Sequence, residues 1–329
     1  MRFFAVILFL MPFSTGEVYS QVFKIMFYNV ENFFDTENDP HTNDDNFTPQ
    51  GENHWTRERF IKKRNNICKV TVAAGKGHMP DIIGLCEVEN RYVLRQLVEE
   101  TPLAKYEYDI VHYNSPDRRG IDAALLYCKK SFTVLTSKTY RIKELQTRDI
   151  LYVKGYTAGN DTLHLFVNHW SSKWGGAESE NSRMFAAKTL KNVVDSVFTT
   201  DINAKICIMG DFNDYPDSNP IKYLGAKAKN EGKGRLYNLS QHLQEDGQGS
   251  IKYQNRWELI DLFFVSESLM TGKKGLQCTF NDIEIFSPEF LMEKTTDGGF
   301  APKRTYKGLR YAGGFSDHLP VILTFNVKN

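Results

Sequence analysis

Asp81-Ile82-Ile83-Gly84-Leu85-Cys86-Glu87-Val88-Glu89-Asn90 is the stretch from which the rest of the chain can be read. The apolar run Ile82–Cys86, opened by Pro80-Asp81, has the length of a strand buried on both faces and is too short for a helix. It ends by delivering a carboxylate, Glu87, to the rim. The same event recurs along the chain. Val22–Tyr28 ends at Asn29, Leu163–Asn168 leads to His169, and Ala204–Met209 runs into Gly210-Asp211-Phe212-Asn213. Leu259–Val265 carries Asp261, and Asp317-His318 precedes Val321–Val327. One Asp or Asn after a strand is ordinary turn chemistry, and one His beside a Trp is an ordinary core residue. Six such clusters in a chain with 8 histidines point to strand ends converging on one site, since loops at the rim of a rigid scaffold are where sites are built.

Working outward, Tyr108–His112, Ala123–Cys128, Phe132–Thr136 and Ile150–Tyr156 read as further strands of a meander. Thr56–Ala74, Tyr92–Glu100 and Ser182–Val197 have the spacing of helices with one buried face. Residues 35–53 and 225–250 read as loops. Asp35, Asp39, Asp44 and Asp45 lack the spacing and glycine of a calcium loop, so a solvated loop is the reading. There is no repeat and no linker between hydrophobic blocks, so residues 21–329 are expected to form a single domain. Residues 1–20 begin with Arg2, continue through the apolar run Phe3–Met11 and end in small residues, the pattern of a signal peptide cleaved before Gln21. The chain is therefore expected to be exported, periplasmic or extracellular, without stable membrane insertion and as a monomer.

The 329 residues carry 41 basic and 40 acidic side chains, a net charge of +1, with 41% hydrophobic residues. That is ample for a large core and lacks the overall positive field of a polyanion binder. Any nucleic-acid role must come from a local patch. Arg118, Arg119, Lys173, Trp174, Lys303, Arg304, Tyr306, Lys307, Arg310 and Tyr311 are the candidates. The five cysteines, Cys68, Cys86, Cys128, Cys207 and Cys278, are odd in number and lack zinc spacing, so buried free thiols are expected.

The clustered residue types suit one another. Carboxylate and amide oxygens favour hard cations, and histidines beside carboxylates suit acid–base work near phosphate. The chain has no Gly-x-Ser-x-Gly elbow, Walker loop or Gly-x-Gly-x-x-Gly, which removes the support for serine hydrolase, P-loop and dinucleotide readings.

Ile25-Met26-Phe27-Tyr28-Asn29-Val30-Glu31-Asn32, the stretch from Asp81 to Asn90, Gly210-Asp211-Phe212-Asn213-Asp214 and Ser316-Asp317-His318-Leu319-Pro320-Val321 resemble, in order, the motifs of the endonuclease/exonuclease/phosphatase superfamily. Val167-Asn168-His169-Trp170-Ser171-Ser172-Lys173-Trp174-Gly175-Gly176 resembles its bacterial secreted branch. The resemblance spans residues 22 to 327. It implies an α+β fold, a four-layer α/β/β/α sandwich with two packed mixed β-sheets. It also implies a metal-dependent phosphoric ester hydrolase that attacks phosphorus with water and forms no covalent enzyme intermediate.

The resemblance further implies Glu87, Asn29 and Asp317 as the residues that hold Mg2+, or Mn2+ or Ca2+. His318 would act at the phosphate, oriented by Asp261, while Asp211 and Asn213 position the attacking water. His169 matches the second histidine, with Asp122 where its carboxylate partner is expected. Arg148 and Asn168 fall where substrate contacts are expected. For the substrate, the loops lack a strongly apolar hairpin beyond Phe286, Phe290-Leu291-Met292 and Phe300, which tilts the reading toward nucleic acid and away from a lipid headgroup. A small phosphoester and a catalytically silent binding protein are the alternatives.

Overall fold

The alternation of side chains along β1 (Val22–Phe33) sets up two cores at once. Phe23, Ile25 and Phe27 face one buried cluster, and Met26, Tyr28 and Val30 face another, as successive residues of a strand must. β2 (Ile82–Val88) and β4 (Asp122–Cys128), with β3 (Tyr108–His112) before it, divide in the same way. Ile82, Cys86 and Leu125 join the first cluster, and Ile83, Leu85 and Leu126 the second. The computed structural model describes residues 22–143, 145–173, 176–225, 234–296 and 298–328. The expected signal peptide, residues 1–20, and the rim candidate Trp174 lie outside them.

Further along come β5 (Phe132–Tyr140), β6 (Ile150–Thr157), β7 (Thr162–His169), β8 (Lys205–Asp211) and β9 (Leu236–Asn238). The hairpin β10 (Ile251–Tyr253) and β11 (Arg256–Glu258) precedes β12 (Asp261–Ser266), β13 (Gly275–Gln277) and β14 (Ile283–Ile285). Two small hairpins, β15 (Met292–Lys294) with β16 (Phe300–Pro302) and β17 (Tyr306–Lys307) with β18 (Arg310–Tyr311), lead to β19 (Val321–Lys328). One seven-stranded sheet has the order β13-β19-β1-β2-β4-β3, with β14 also on β19, and one six-stranded sheet the order β5-β6-β7-β8-β12-β9.

Each sheet is mixed, with one parallel pair: β1 with β2, and β7 with β8. Parallel neighbours need a crossover. Helix α1 (Arg57–Gly75) lies in the first and α3 (Gly176–Thr200) in the second, with α2 (Arg91–Glu99) after β2. Phe60, Ile67, Val93 and Leu94 of α1 and α2 fill the cluster on the outer face of the first sheet. Ala186, Leu190 and Val194 of α3 pack with the second. The two sheets approach closely at Gly84, where a Cβ would stand 2.7 Å from the Met209 sulfur of β8. The expected four-layer sandwich is what forms.

Two expectations change. The meander from Tyr108 to Asn168 is not one sheet, because β3 and β4 belong to the first and β5, β6 and β7 to the second. Strand β1 also does not stop at Asn29 but continues to Phe33 through an irregularity in its pairing with β2. Cys86 and Cys207 are buried and all five cysteines are free, with Cys128 only half-buried. No helix among the described residues is long and apolar enough to cross a membrane.

Candidate active site

The central parallel pairs of the two sheets end side by side. Asn29 of β1 donates from Nδ2 to Asp211 Oδ2 of β8 at 3.0 Å and lies 3.4 Å from Glu87 Oε1 of β2. His169, the last residue of β7, places Nε2 3.7 Å from Asp211 Oδ2 and 3.9 Å from Glu87 Oε1. His318 closes the group with Nε2 3.8 Å from Asp211 Oδ2. Asp211 is thus the centre, and separations of this size leave room for a bridging oxygen.

Backbone irregularity aims these side chains. The pairing of β2 slips between Cys86 and Val88 against β4, leaving Glu87 as an extra residue with φ of 61°. A bulge of this kind turns a side chain out of its alternation. Asn32 N then donates to Glu87 Oε2 at 2.9 Å from the matching irregularity in β1, where Glu31 and Asn32 have φ of 50° and 58°. Asn213 is a further positive-φ residue, at 48°, whose amide donates to Asp211 Oδ1 at 2.8 Å and whose side chain donates to the Trp170 carbonyl at 3.1 Å. Left-handed backbone at non-glycine residues costs about 1–3 kcal/mol each and collects at functional sites.

Two aspartates begin the antiparallel strands flanking the central pairs, and they do different work. Asp261 of β12, opposite Asp211, meets His318 Nδ1 at 2.7 Å. His318 is held from behind, since its amide donates to Ser316 Oγ at 3.1 Å and Ser316 Oγ donates to the Asn29 carbonyl at 2.7 Å. Asp122 of β4 does not reach His169. Its Oδ2 lies 3.2 Å from His112 Nε2 and its Oδ1 accepts from Ser115 N at 2.9 Å. His169 Nδ1 has no protein partner. The expected His169–Asp122 pair is therefore replaced by His112–Asp122, because β3 and β4 are direct neighbours and His112 stands opposite Ala124.

Two expected substrate contacts are also turned inward. Asn168 is fully buried, with Oδ1 accepting from the Trp170 indole at 3.2 Å and Nδ2 donating to the Met209 carbonyl at 3.3 Å. That position braces β7 against β8 and leaves the amide no access to a substrate. Arg148 is buried too, donating to Asp117 Oδ2 at 2.9 Å and to the Trp170 carbonyl at 2.6 Å. It acts on the site through charge, lying close enough to His169 to influence its proton affinity.

The titrations divide the two histidines. Burial pushes His169 well below its ordinary value, helped by Arg148 and Arg119, so it is neutral at pH 7. For His318 burial acts in the same direction, but the Asp261 charge and hydrogen bond, with Asp211 and Asp317, overcome it and hold the ring well above its ordinary value. Burial and then Asp261 raise the Asp211 carboxyl to about 7, against the lowering effect of His318. Environments that push neighbouring groups apart in this way assign acid and base roles.

Beneath Asp317 lies a network that sequence reading missed. Glu31 is raised to about 7 by burial and then by Asp317. It accepts from Thr305 N at 2.5 Å and faces Lys63 at 3.8 Å. Lys63 is a buried lysine of α1 that donates to Thr305 Oγ1 at 2.5 Å and to the Phe315 carbonyl at 2.7 Å. Asp317 accepts from Arg304 Nη2 at 2.6 Å. Glu31 stands two residues past Asn29, where regular alternation would keep it on the face of Asn29, and the irregularity of β1 between Asn29 and Phe33 accompanies its turn toward Lys63 of α1. Lys63→Met strands the Glu31 carboxylate, and a loss of about 3 kcal/mol is expected in chemical denaturation. Adding Glu31→Gln should recover part of that loss, and a fully additive double variant would count against the pair.

The residues fit a hard cation better than a soft one. Among the described residues, the groups of three His, Cys, Asp or Glu side chains close enough to share an ion are Cys86, His169 and Asp211, and Asp211, Asp261 and His318. Burial, then Asp211 and Glu87, push the Cys86 thiol well above its ordinary value, which favours the protonated thiol over the thiolate. Neither group of three includes Glu87 or Asp317, but Asn29 Nδ2 lies within 3.4 Å of both Glu87 and Asp211, and Asp261 Oδ1 has no protein partner. Such an arrangement of oxygen donors suits magnesium, manganese or calcium.

The fold recurs in solved structures. D. rerio TDP2 complexed with single strand DNA product is 15% identical, with 93% of this chain and 99% of that chain covered and a TM-score of 0.58. An endonuclease/exonuclease/phosphatase family protein from Bacteroides thetaiotaomicron is 12% identical, covering 93% and 97%, with a TM-score of 0.56. The human Nocturnin catalytic domain with bound sulfate anion is 16% identical, covering 93% and 94%, with a TM-score of 0.55. No curated protein matches the sequence. The family model matches residues 24–327, nearly all of the described chain. With two mixed sheets stacked between helices and a rim of carboxylates and histidines at their joined ends, the chain belongs to the endonuclease/exonuclease/phosphatase family, whose activity is of the metal-dependent phosphoesterase type.

Proposed function

We propose that this protein is an exported, monomeric phosphodiesterase that hydrolyses a nucleic-acid phosphodiester by in-line attack of water at phosphorus. The observation that carries the reading is the arrangement around Asp211, with one histidine held protonated by Asp261 and another kept neutral by burial, both within 4 Å of one carboxylate. His318, protonated at pH 7, faces the phosphate as a proton donor and positive charge. Asp211, with a proton affinity near neutrality, receives the proton of the attacking water, which Asn213 helps to orient. His169, neutral, offers Nε2 to a phosphate oxygen or the water. Glu87, Asn29 and Asp317 would hold a divalent cation, Mg2+ in this reading or else Mn2+ or Ca2+. When bound, that ion supplies positive charge against a phosphoryl oxygen.

The nucleic-acid assignment is supported by cations lying over aromatic rings: Lys173, four residues past His169, over the ring of Tyr215, four residues past Asp211, at 3.4 Å, and Arg59 over Tyr311 at 4.3 Å, the type of surface that stacks bases and meets phosphates. TDP2 in complex with a DNA product is a precedent within the fold. A smaller phosphoester is the second reading, favoured by the way rim cations are already paired: Lys173 with Glu258 at 2.8 Å, Lys307 with Glu293 at 2.8 Å and Arg304 with Asp317 at 2.6 Å. The test is to incubate the mature chain with plasmid DNA, RNA, sphingomyelin and bis-p-nitrophenyl phosphate, with Mg2+ and then with EDTA. DNA or RNA cleavage abolished by EDTA is expected, with solvent oxygen appearing in the phosphate. Cleavage of only the small diester or the lipid moves the assignment to that substrate, and metal-dependent cleavage of none leaves a binding protein.

A further inference from the structure

Arg304 stands where the site meets solvent. Its Nη2 donates to Asp317 Oδ2 at 2.6 Å and its Nε lies 3.7 Å from Glu31 Oε1, yet the side chain is 45% exposed. The other arginine–aspartate pairs among the described residues are of two kinds: Arg119 with Asp117 and Arg141 with Asp149 have arginines exposed like Arg304, at 49% and 56%, but sit at looser distances of 3.9 and 3.6 Å. The side chains of Arg148 and Arg183, paired with Asp117 and Asp214, are only 8% and 7% exposed, as fixed braces should be. The backbone carrying Arg304 is itself pinned. Thr305 N donates to Glu31, Phe315 N to the Lys303 carbonyl and Ala312 N to the Thr305 carbonyl. A pinned backbone under an exposed, long side chain lets the guanidinium change partners by rotamer rotation alone, on the fast timescale of surface side chains.

The acid it holds is one the proposed function assigns to a divalent cation. A guanidinium and a divalent ion on the same carboxylate repel each other, so both cannot hold it at full strength.

We propose that Arg304 is a mobile counter-ion, holding Asp317 in the metal-free site and turning to a non-reacting oxygen of the substrate phosphate once a divalent cation takes Asp317. The inference rests on the metal-dependent phosphoesterase reading. Two features support the exchange. The planar fork of a guanidinium matches phosphate oxygens as well as carboxylate oxygens. Glu31 is not stranded when Arg304 leaves, because Lys63 and Thr305 N remain on it.

The test is calorimetric titration of Mn2+ into the wild type, Arg304→Met and Arg304→Lys, followed by kcat and KM for bis-p-nitrophenyl phosphate with saturating Mn2+. Arg304→Met should bind Mn2+ about three- to tenfold tighter, because a competing half-exposed positive charge is gone. Its KM should nevertheless rise about tenfold, because a charge-assisted phosphate contact is lost. Arg304→Lys keeps the charge without the fork, so Mn2+ affinity near wild type with a partly raised KM is expected. Arg304→Gln is read in the same way if the Met variant melts early. Mn2+ affinity unchanged or weaker in the neutral variants makes Arg304 a fixed brace and overturns the exchange. A wild type that binds Mn2+, loses this competition in Arg304→Met and cleaves nothing sinks the phosphoesterase reading and the phosphate half of the proposal, with the metal-competition half standing. A wild type that binds no Mn2+ overturns both.

Discussion

His318→Ala is expected to lower phosphodiester turnover by at least roughly a hundredfold, about 3 kcal/mol of transition-state stabilisation, the scale of an oriented charge lost from a pre-arranged site. The expectation follows from how much of the surrounding structure is committed to this one ring. Ser316 and the Asn29 carbonyl fix its backbone, and Asp261 takes Nδ1 at 2.7 Å, leaving Nε2 directed toward Asp211 at 3.8 Å. Asp261→Asn separates orientation from charge. The amide still reaches Nδ1, but the anion that kept the ring protonated is gone, so the His318 pKa falls. The protonated form is the working one here, and activity is lost as pH rises through that pKa. The alkaline limb of kcat should therefore move to lower pH in Asp261→Asn, by about one unit or more. A kcat profile from pH 5 to 9 is the measurement. A limb that stays in place means His318 is not the group titrating. Wild-type hydrolysis by purified His318→Ala removes it from the mechanism.

Much of the fold could be read from local pattern because the two cores impose it. Strands β3 and β8 and helices α1 and α2 fall within a residue or two of where alternation and periodicity put them, since burial on defined faces leaves that spacing in the sequence. The site was legible for a related reason, in that carboxylates and histidines stand at the ends of runs too apolar to be exposed. What could not be read is what depends on pairing across the fold. Nothing local says that β4 and β5, joined by a tight turn, enter different sheets. Nothing local says that Asp122 meets a neighbour on β3 when a residue on β7 was the expected partner.

Asn168 misled because an amide beside His169 and Trp170 is equally suited to a substrate or to a brace, and only the register of β7 on β8 decides. Lys63 read as one of several basic residues on α1. Its burial is a consequence of the Thr305 and Phe315 segment folding back over the helix more than two hundred residues later. Glu31 and Glu87 shift face through bulges, and a bulge at a glutamate carries no signature of the kind a glycine would leave.

That last point yields the second large expected effect, because Glu87 holds a conformation that glutamate does not favour. At φ of 61° a residue with a Cβ is strained by about 1 kcal/mol or more, and glycine is not. The strain is held in place by the Asn32 amide on Oε2 at 2.9 Å and by Asn29 at 3.4 Å from Oε1. The carboxylate is thus kept in a pocket that already contains Asp211. On these grounds Glu87→Gly should melt higher than Glu87→Ala by about 1 kcal/mol of stability, the ordinary benefit of glycine at a left-handed position. Both variants should lose Mn2+ affinity and at least roughly a hundredfold in turnover if Glu87 holds the cation as the proposed function has it. Glu87→Gln retains the shape and the hydrogen bond from Asn32 but not the charge, so near wild-type stability with equally poor turnover would locate the function in the negative charge. Stability gained where activity is lost is what a site built on strain predicts. If Glu87→Gly melts below Glu87→Ala, the strain is not real. If any of the three variants keeps full turnover and Mn2+ binding, Glu87 is not the residue around which the cation site is built.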